Sequence, residues 1–315
     1  MDLHYRPCPR RALLALALSV AVICGTPAFA AGPDDYLKEF DTLYNHLVLQ
    51  RTGTIVEMRS VTRQMFYRES AIDLADPERL LVPYTQGLFL AGVFQPAPKK
   101  VLMIGLGGGG FNRVFNRAFG GAVLRTVEID KRVKELAAQF MAFQETDRNQ
   151  VVIGDGRVHV KRNRGRERYD WIILDAYKGN CVPPHLKTTE FYREVASCLE
   201  PGGVVVSNLQ NDSMLFDFDV ATLNAAFPRV VYFQVPDSPN VIAIASPSNQ
   251  ADLRQAIANF NRHTLPDVLL KRVDFRPLLA GRFDPVIVRE AKVMTDDFAP
   301  TDYYKTVARP RTPRL

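Results

Sequence analysis

A chain of 315 residues that is 47% hydrophobic has material for one large α/β domain with a sizeable core and a smaller unit beside it. Its formal charge of +6 is spread along the chain. The densest basic stretch, Arg157, Lys161, Arg162, Arg164, Arg166 and Arg168, has little aromatic residue between its charges and reads as a solvated helix end and loop, so no nucleic-acid partner is indicated.

Residues 1–30 read as an export signal. Arg6, Arg10 and Arg11 precede an apolar run, Ala12–Cys24, and Ala28-Phe29-Ala30 supplies a small-x-small cleavage pattern. That run of 13 residues is short for a membrane span, which takes ~20. Cleavage would leave a mature chain starting at Ala31, periplasmic or secreted, with no lasting membrane anchor. It would also remove Cys8 and Cys24. The remaining Cys181 and Cys198 read as thiols. The first follows a core strand at the ligand end of the sheet, the second closes the next helix toward the opposite end, and a disulfide needs Cα atoms within ~7 Å.

Tyr36, Leu37, Phe40, Leu43, Tyr44 and Leu47 keep a 3–4 spacing, which predicts a helix over Pro33–Gln50. Thr54–Ser60 and Arg63–Glu69 alternate like two strands of a hairpin. Tyr84–Phe94 reads as a helix, and Pro96-Ala97-Pro98 as a linker. Core strands are expected at 101–104, 122–128, 150–154, 169–174 and 203–208, with helices at 111–119, 131–143, 188–199 and 213–227. Closing strands follow at 230–235 and 241–246, then a helix over Gln250–His263 and an irregular tail. Strands alternating with helices imply a doubly wound, mostly parallel, seven-stranded α/β sheet with ligands at the strand C-termini. Three units follow the signal: residues 31–95, a small β-containing unit; 96–248, a Rossmann-like domain; and 249–315, packing on it.

The stretch VLMIGLGGGGFNRVFNRAFGGAVLRTVEID organises the rest. It reads as strand, glycine turn, helix, strand, acid. Glycines allow positive φ and close ligand approach, and a helix start offers free N–H groups. Glu128 lies 23 residues after Gly105, near the ~20 of a ribose-binding acid. The run G-x-G-G-G-G departs from G-x-G-x-x-G, which favours a nucleoside with a sulfonium tail over a pyrophosphate. The sequence holds no zinc-type spacing, G-x-S-x-G elbow or H-E-x-x-H, and no metal is expected.

Taken together, IGLGGGG, VEID, GDG, YDWIILDAYKG and PGGVVVSN resemble the spermidine synthase family of aminopropyltransferases, over roughly Thr54 to Ser246. That family shares its fold with S-adenosylmethionine-dependent methyltransferases. DAYKGNCVPPHLKTTEFY and MTDDFAPTDYY resemble most the spermidine synthase-like domains fused to membrane segments. The resemblance implies decarboxylated S-adenosylmethionine, or S-adenosylmethionine itself, as cofactor and a small-molecule amine as acceptor. Glu128 would hold the ribose and Asp155, next to Gly156, the adenine amino group. Gly105, Gly107 and Gly109 would lie under the methionine-derived tail. Asp175 would hold and deprotonate the amine, flanked by Tyr84 and Tyr177. Each has a plainer reading as well: helix caps for Asp155 and Asp175, a core tyrosine for Tyr84. His185 reads as structural rather than catalytic.

Two departures stand out. The family's glycine loop, G-G-G-D-G-G, carries an acid, assigned here to the position of Gly109. The second acid of its D-x-x-D loop is Lys178. Asp296, Asp297 and Asp302 would replace the missing acids if the tail folded over the site. Three functions follow: an aminopropyltransferase, a methyltransferase, and an exported non-catalytic nucleoside- or polyamine-binding protein. A homodimer is compatible with each.

Overall fold

The computed structural model describes residues 35–300 except 63–64, 178, 180, 249–251, 287–290 and 299. The signal segment, Lys178 and Asp302 lie outside the described residues.

The chain enters through four antiparallel strands in sequential order, β1 (Tyr36–Asp41), β2 (His46–Thr52), β3 (Ile55–Thr62) and β4 (Met65–Asp73). The helix expected over Pro33–Gln50 is therefore two strands, paired from Tyr36 with Arg51 to Asp41 with His46. Thr42 breaks the helical pattern: its hydroxyl accepts from the amides of Tyr44 (3.0 Å) and Asn45 (2.8 Å), making a turn. Leu43, which a helix would bury, sits at that turn 95% exposed. Leu47, Leu49, Val56, Met58 and Ile72 bury one face of the meander against Val133 and Leu136 of the next domain's second helix.

Pro83–Gly87 (α1), a 3-10 turn at Leu88–Leu90 and Ala91–Phe94 (α2) together occupy the expected Tyr84–Phe94 helix. Then strands and helices alternate: β5 (Lys100–Ile104), α3 (Gly110–Ala118), β6 (Val123–Glu128), α4 (Lys131–Phe140), β7 (Asn149–Ile153), α5 (Gly156–Asn163), β8 (Tyr169–Leu174), α6 (Thr189–Ala196), β9 (Leu199–Gln210), α7 (Phe216–Ala226), β10 (Arg229–Gln234) and β11 (Asn240–Ser246). A two-residue strand, β12 (Arg282–Phe283), extends the seven expected strands at one edge. The order is β12-β10-β11-β9-β8-β5-β6-β7. Pairs from β9 through β7 are parallel, and β10, β11 and β12 join antiparallel.

Central strands of such a sheet are covered on both faces and read as unbroken apolar runs. On β8, Trp171 and Ile173 enter one core with Phe89, Phe111 and Phe115. Ile172 and Leu174 enter the other with Phe191 and Tyr192. The helix expected over Gln250–His263 is shorter, α8 (Leu253–Ala258), followed by a 3-10 turn at Arg262–Thr264 capped by Asn261. Leu265, Leu269 and Leu278, in and around α9 (Asp267–Leu270) and α10 (Phe275–Ala280), pack into the first core. Cys181 and Cys198 form no disulfide. Among the described residues no helix is long and apolar enough to cross a membrane.

From β5 the chain steps to β6 and β7 on one side, then returns to β8 and β9 on the other. This reversal leaves a crevice at the C-terminal ends of β5 and β8. Gly105 and Asp175 are the first residues beyond those ends.

Candidate active site

The crevice is one cavity of about 1330 Å³, counted to its open mouth. Its lining takes in Gly105, Gly107, Glu128, Asp155, Gly156, Asp175, Tyr84 and Tyr177. Eight of the nine site residues expected from the sequence thus meet there. Gly109 does not.

The floor is made by the loops after β5 and β8. The Asp175 amide donates to the Ile104 carbonyl at 2.9 Å. A Cβ on Gly105, whose φ is +99°, would stand 2.2 Å from the Asp175 carbonyl oxygen. Only glycine lets these loops touch. Glu128 ends β6 and is 8% exposed. One carboxylate oxygen accepts from the Leu106 amide and the other from the Asp130 amide, both at 2.9 Å. Burial pushes its pKa up, against the pull of those amides. Each oxygen keeps a lone pair for a ligand hydroxyl.

Asp155 caps α5 by accepting from the Val158 amide at 2.9 Å. Its other oxygen lies 2.8 Å from His185 Nε2. Burial raises its pKa, but the Val158 amide and His185 together outweigh it, and the net shift is downward. His185 therefore belongs to the wall of the cavity. Gly156 packs α5 onto β5; a Cβ there would meet Ile104 at 2.4 Å.

Asp175 accepts from Asn208 Nδ2 at 2.9 Å and from the Tyr84 hydroxyl. Asn208 is oriented by Asn240 Nδ2, 2.9 Å from its Oδ1. Tyr177 donates to the Asn208 carbonyl at 2.8 Å. Pro83 at the start of α1 sets the turn that carries Tyr84. Burial pushes Asp175 up to about 7, although Asn208 and Tyr84 pull it down.

Sequence reasoning missed three contributors. Glu69 and Ser70 of β4 line the cavity. The Ser70 hydroxyl accepts from the Gly108 amide at 2.7 Å, tying the meander to the glycine turn. Arg113 donates to the carbonyls of Gly108 (2.7 Å), Met141 (2.7 Å) and Pro77 (3.0 Å), pinning three loops behind that turn. Burial pulls its pKa down to about 10. A cation placed on α3 just behind the glycines was the signal for it.

Two expectations need correction. Gly109 caps α3 in the left-handed conformation, φ +70°, and a Cβ on it would meet Phe143 at 2.5 Å, so it faces the protein rather than the cavity. Laid without gaps on Gly105–Gly110, the G-G-G-D-G-G pattern also puts the acid on Gly108. There a Cβ would meet the flexible thioether end of Met141 at 2.7 Å and Ser70 at 3.0 Å, so an acid in place of Gly108 needs Met141 to move, whereas in place of Gly109 the Phe143 ring blocks it. Nor does Asp296 enter the cavity. Arg157 holds it by two bonds (2.6 and 2.7 Å) while also holding Glu194 (2.9 Å twice), so the tail is strapped to the outside of α5 and α6. Asp297 is exposed and lines no part of the cavity.

Residues 88–243 match the spermine/spermidine synthase domain. A polyamine aminopropyltransferase of Chromobacterium violaceum is 32% identical over 179 residues, 56% of this chain and 68% of that protein. The chain belongs to the spermine/spermidine synthase family. A polyamine aminopropyltransferase of Vibrio vulnificus is 28% identical over 299 residues, 92% of this chain and 98% of that one. The eEF1A lysine and N-terminal methyltransferase of Bos taurus is 32% identical over 155 residues, but the chain spans only 22% of it. A crystal structure of a probable spermidine synthase from Corynebacterium glutamicum superposes with a TM-score of 0.59 over 87% of this chain and 99% of that one, at 17% identity, and shares the fold. The matched domain starts after β4, so Glu69 and Ser70 reach the site from outside it.

Proposed function

We propose that this protein is an aminopropyltransferase that moves the aminopropyl group of decarboxylated S-adenosylmethionine to a small amine. Asp175 carries the reading. It stands at the end of β8 against the glycine turn, fixed by Asn208 and Tyr84. An alkylamine with a pKa of ~10.4 is protonated at neutral pH and must lose a proton before it can attack. A carboxylate with a pKa near 7 is poised to take it, since a general base works best near the operating pH.

The residues fit the donor. Glu128 faces the cavity with acceptor capacity for two ribose hydroxyls, and Asp155 with capacity for an adenine amino group. Gly105 leaves the floor flat where the tail would lie. The donor supplies a carbon activated by a sulfonium: the C–N bond forms as the C–S bond breaks, and the electron pair returns to sulfur as a neutral thioether. Asp175 orients the ammonium, accepts its proton and so frees the nitrogen lone pair. Tyr84 and Tyr177 wall the amine and keep Asp175 aimed.

A second reading, methyl transfer from S-adenosylmethionine, is favoured by one observation, the lack of an acid in the glycine turn. Asp175→Asn separates the two. Loss of aminopropyl transfer with nucleoside binding intact supports the first reading. Methyl transfer that survives the change supports the second.

We also propose that residues 1–30 direct export and are removed before Ala31, leaving no membrane anchor, and that the mature chain forms a homodimer. N-terminal sequencing of protein from an exporting host tests the first, with an intact Met1 against it. Light scattering tests the second, with a monomer at working concentration against it.

A further inference from the structure

The pairing of β3 with β4 slips by one residue. Met58 faces Ser70 and Arg59 faces Arg68, so Glu69 is the extra residue of a β-bulge. In a regular strand, successive side chains point to opposite faces. A bulge re-aims one of them, and bulges recur beside active sites. Here both members of the pair turn to the cavity: Ser70 holds the Gly108 amide, and Glu69 lines the wall beside it. The Glu69 carboxylate accepts from the Ser60 hydroxyl and from the Gly179 amide, at the far end of the loop that begins with Asp175. Its carbonyl oxygen lies 3.7 Å from where a Cβ of Gly107 would stand.

Glu69, Glu128 and Asp175 thus line one cavity together with Asp155, four carboxylates in all among its described lining. The basic side chains among its described lining are Arg79, paired with Asp73, and His185, paired with Asp155 on the adenine side of the cavity. Burial and the two neighbouring carboxylates push Glu69 up to about 7, against the pull of Ser60 and Gly179. Among the described lining no other basic side chain stands at this wall. With adenine at Asp155 and ribose at Glu128, a sulfonium tail laid over Gly105 and Gly107 would end beside Glu69.

We propose that Glu69 selects the donor by binding the ammonium at the end of its tail and repelling a tail that also carries a carboxylate. The decarboxylated nucleoside ends in an ammonium alone, whereas S-adenosylmethionine ends in an ammonium and a carboxylate. The glycine turn carries no acid at Gly108 or Gly109, and at Gly109 a Cβ would meet Phe143 at 2.5 Å. The bulge supplies an acid from the N-terminal sheet, ahead of the spermine/spermidine synthase domain at residues 88–243. The inference rests on the aminopropyltransferase reading.

Calorimetry on the full chain and on Glu69→Gln and Glu69→Asp tests it with three probes: decarboxylated S-adenosylmethionine, S-adenosylmethionine and 5′-methylthioadenosine, which has no charged tail. All three proteins should bind 5′-methylthioadenosine alike, which also shows that the variants fold. Glu69→Gln should lose about tenfold or more in affinity for the decarboxylated donor, as expected for a hydrogen bond to a charged group. Its affinity for S-adenosylmethionine should hold or rise, so that the wild-type preference collapses, and Glu69→Asp should keep part of it. Donor binding to wild type near pH 7 should release protons, and 5′-methylthioadenosine binding should not. An unchanged donor preference in Glu69→Gln, with 5′-methylthioadenosine bound normally, overturns the role of Glu69 and leaves the aminopropyltransferase reading standing. If Glu69→Gln does not fold, Glu69→Asp decides by the same preference and the wild-type proton release. Failure of wild type to bind 5′-methylthioadenosine overturns both.

Discussion

Asn208 donates a hydrogen bond to Asp175 across 2.9 Å, and Asn240 holds Asn208 in the orientation that makes this possible. One oxygen of Asp175 is thereby tied to the neighbouring strands β9 and β11. Asp175→Asn keeps the shape but loses the charge and the basicity. Because general-base catalysis contributes ~10²–10⁴ in rate, turnover should fall by that order while donor affinity changes little. Steady-state turnover measured beside calorimetric affinity checks both halves. A parallel loss of donor affinity would make Asp175 a binding residue instead.

Asn208→Ala gives a second, independent reading of the same contact. The Asn208 bond stabilises the charged carboxylate and so lowers its pKa. Its removal should raise the Asp175 pKa above about 7 and move the acidic limb of the pH–rate profile to higher pH. A limb that stays in place would mean that another group sets it.

Glu128→Ala should weaken nucleoside binding by ~1–3 kcal/mol, the cost of losing hydrogen bonds from a charged acceptor. The Leu106 and Asp130 amides lose their acceptor at the same time, so the glycine turn should loosen. Amide hydrogen exchange at Leu106 would report this, and unchanged affinity would place the ribose elsewhere.

The pH dependence of stability has a definite sign. Glu69 and Asp175 hold their protons up to about 7 in the folded chain, whereas unfolded carboxylates lose them near ~4. Between those values the folded state binds more protons, so these two groups make stability fall as pH rises from ~4 to ~7 and leave it level above. The thermal midpoint of the ligand-free protein should drop across that window, and less so in the double variant Glu69→Gln, Asp175→Asn. Glu167 acts oppositely: despite burial, Arg125 and Tyr169 hold it down to about 2, so its contribution is present above ~4.5 and lost as pH falls toward 2. An equal drop in the double variant would show that other groups dominate.

Placing an acid at Gly109 should fail. Gly109→Asp puts a side chain where Phe143 already stands, at a φ of +70°. The left-handed conformation alone costs a non-glycine residue about 1–2 kcal/mol. Scanning calorimetry should show a lower midpoint, and donor affinity should not rise. A stable variant with tighter donor binding would show that Phe143 yields and that the turn can host an acid.

The parallel sheet was legible because its strands are buried on both faces and read as apolar runs, as in VLMI and WIIL, each ending at a glycine or an acid. The cavity lining was legible because Glu128, Asp155 and Asp175 stand at or just beyond the C-terminal ends of three of these strands, although only Asp175 follows an unbroken apolar run. The meander was not. From Tyr36 to Leu47 the apolar spacing suits a helix, and Thr42, through its hydroxyl and its amide, turns the chain back. Glu69 was hidden by its bulge, since which way a strand residue points depends on a partner strand's register. The tail was hidden too: nothing near Asp296 in sequence announces that Arg157 captures it.

The most direct measurement is mass spectrometry of the reaction products after incubation with a panel of small amines and either decarboxylated or intact S-adenosylmethionine. The account predicts an aminopropylated amine and 5′-methylthioadenosine in equal amounts, formed from the decarboxylated donor and dependent on Asp175. A methylated amine formed from the intact donor, or no product from either donor across the panel, would contradict it.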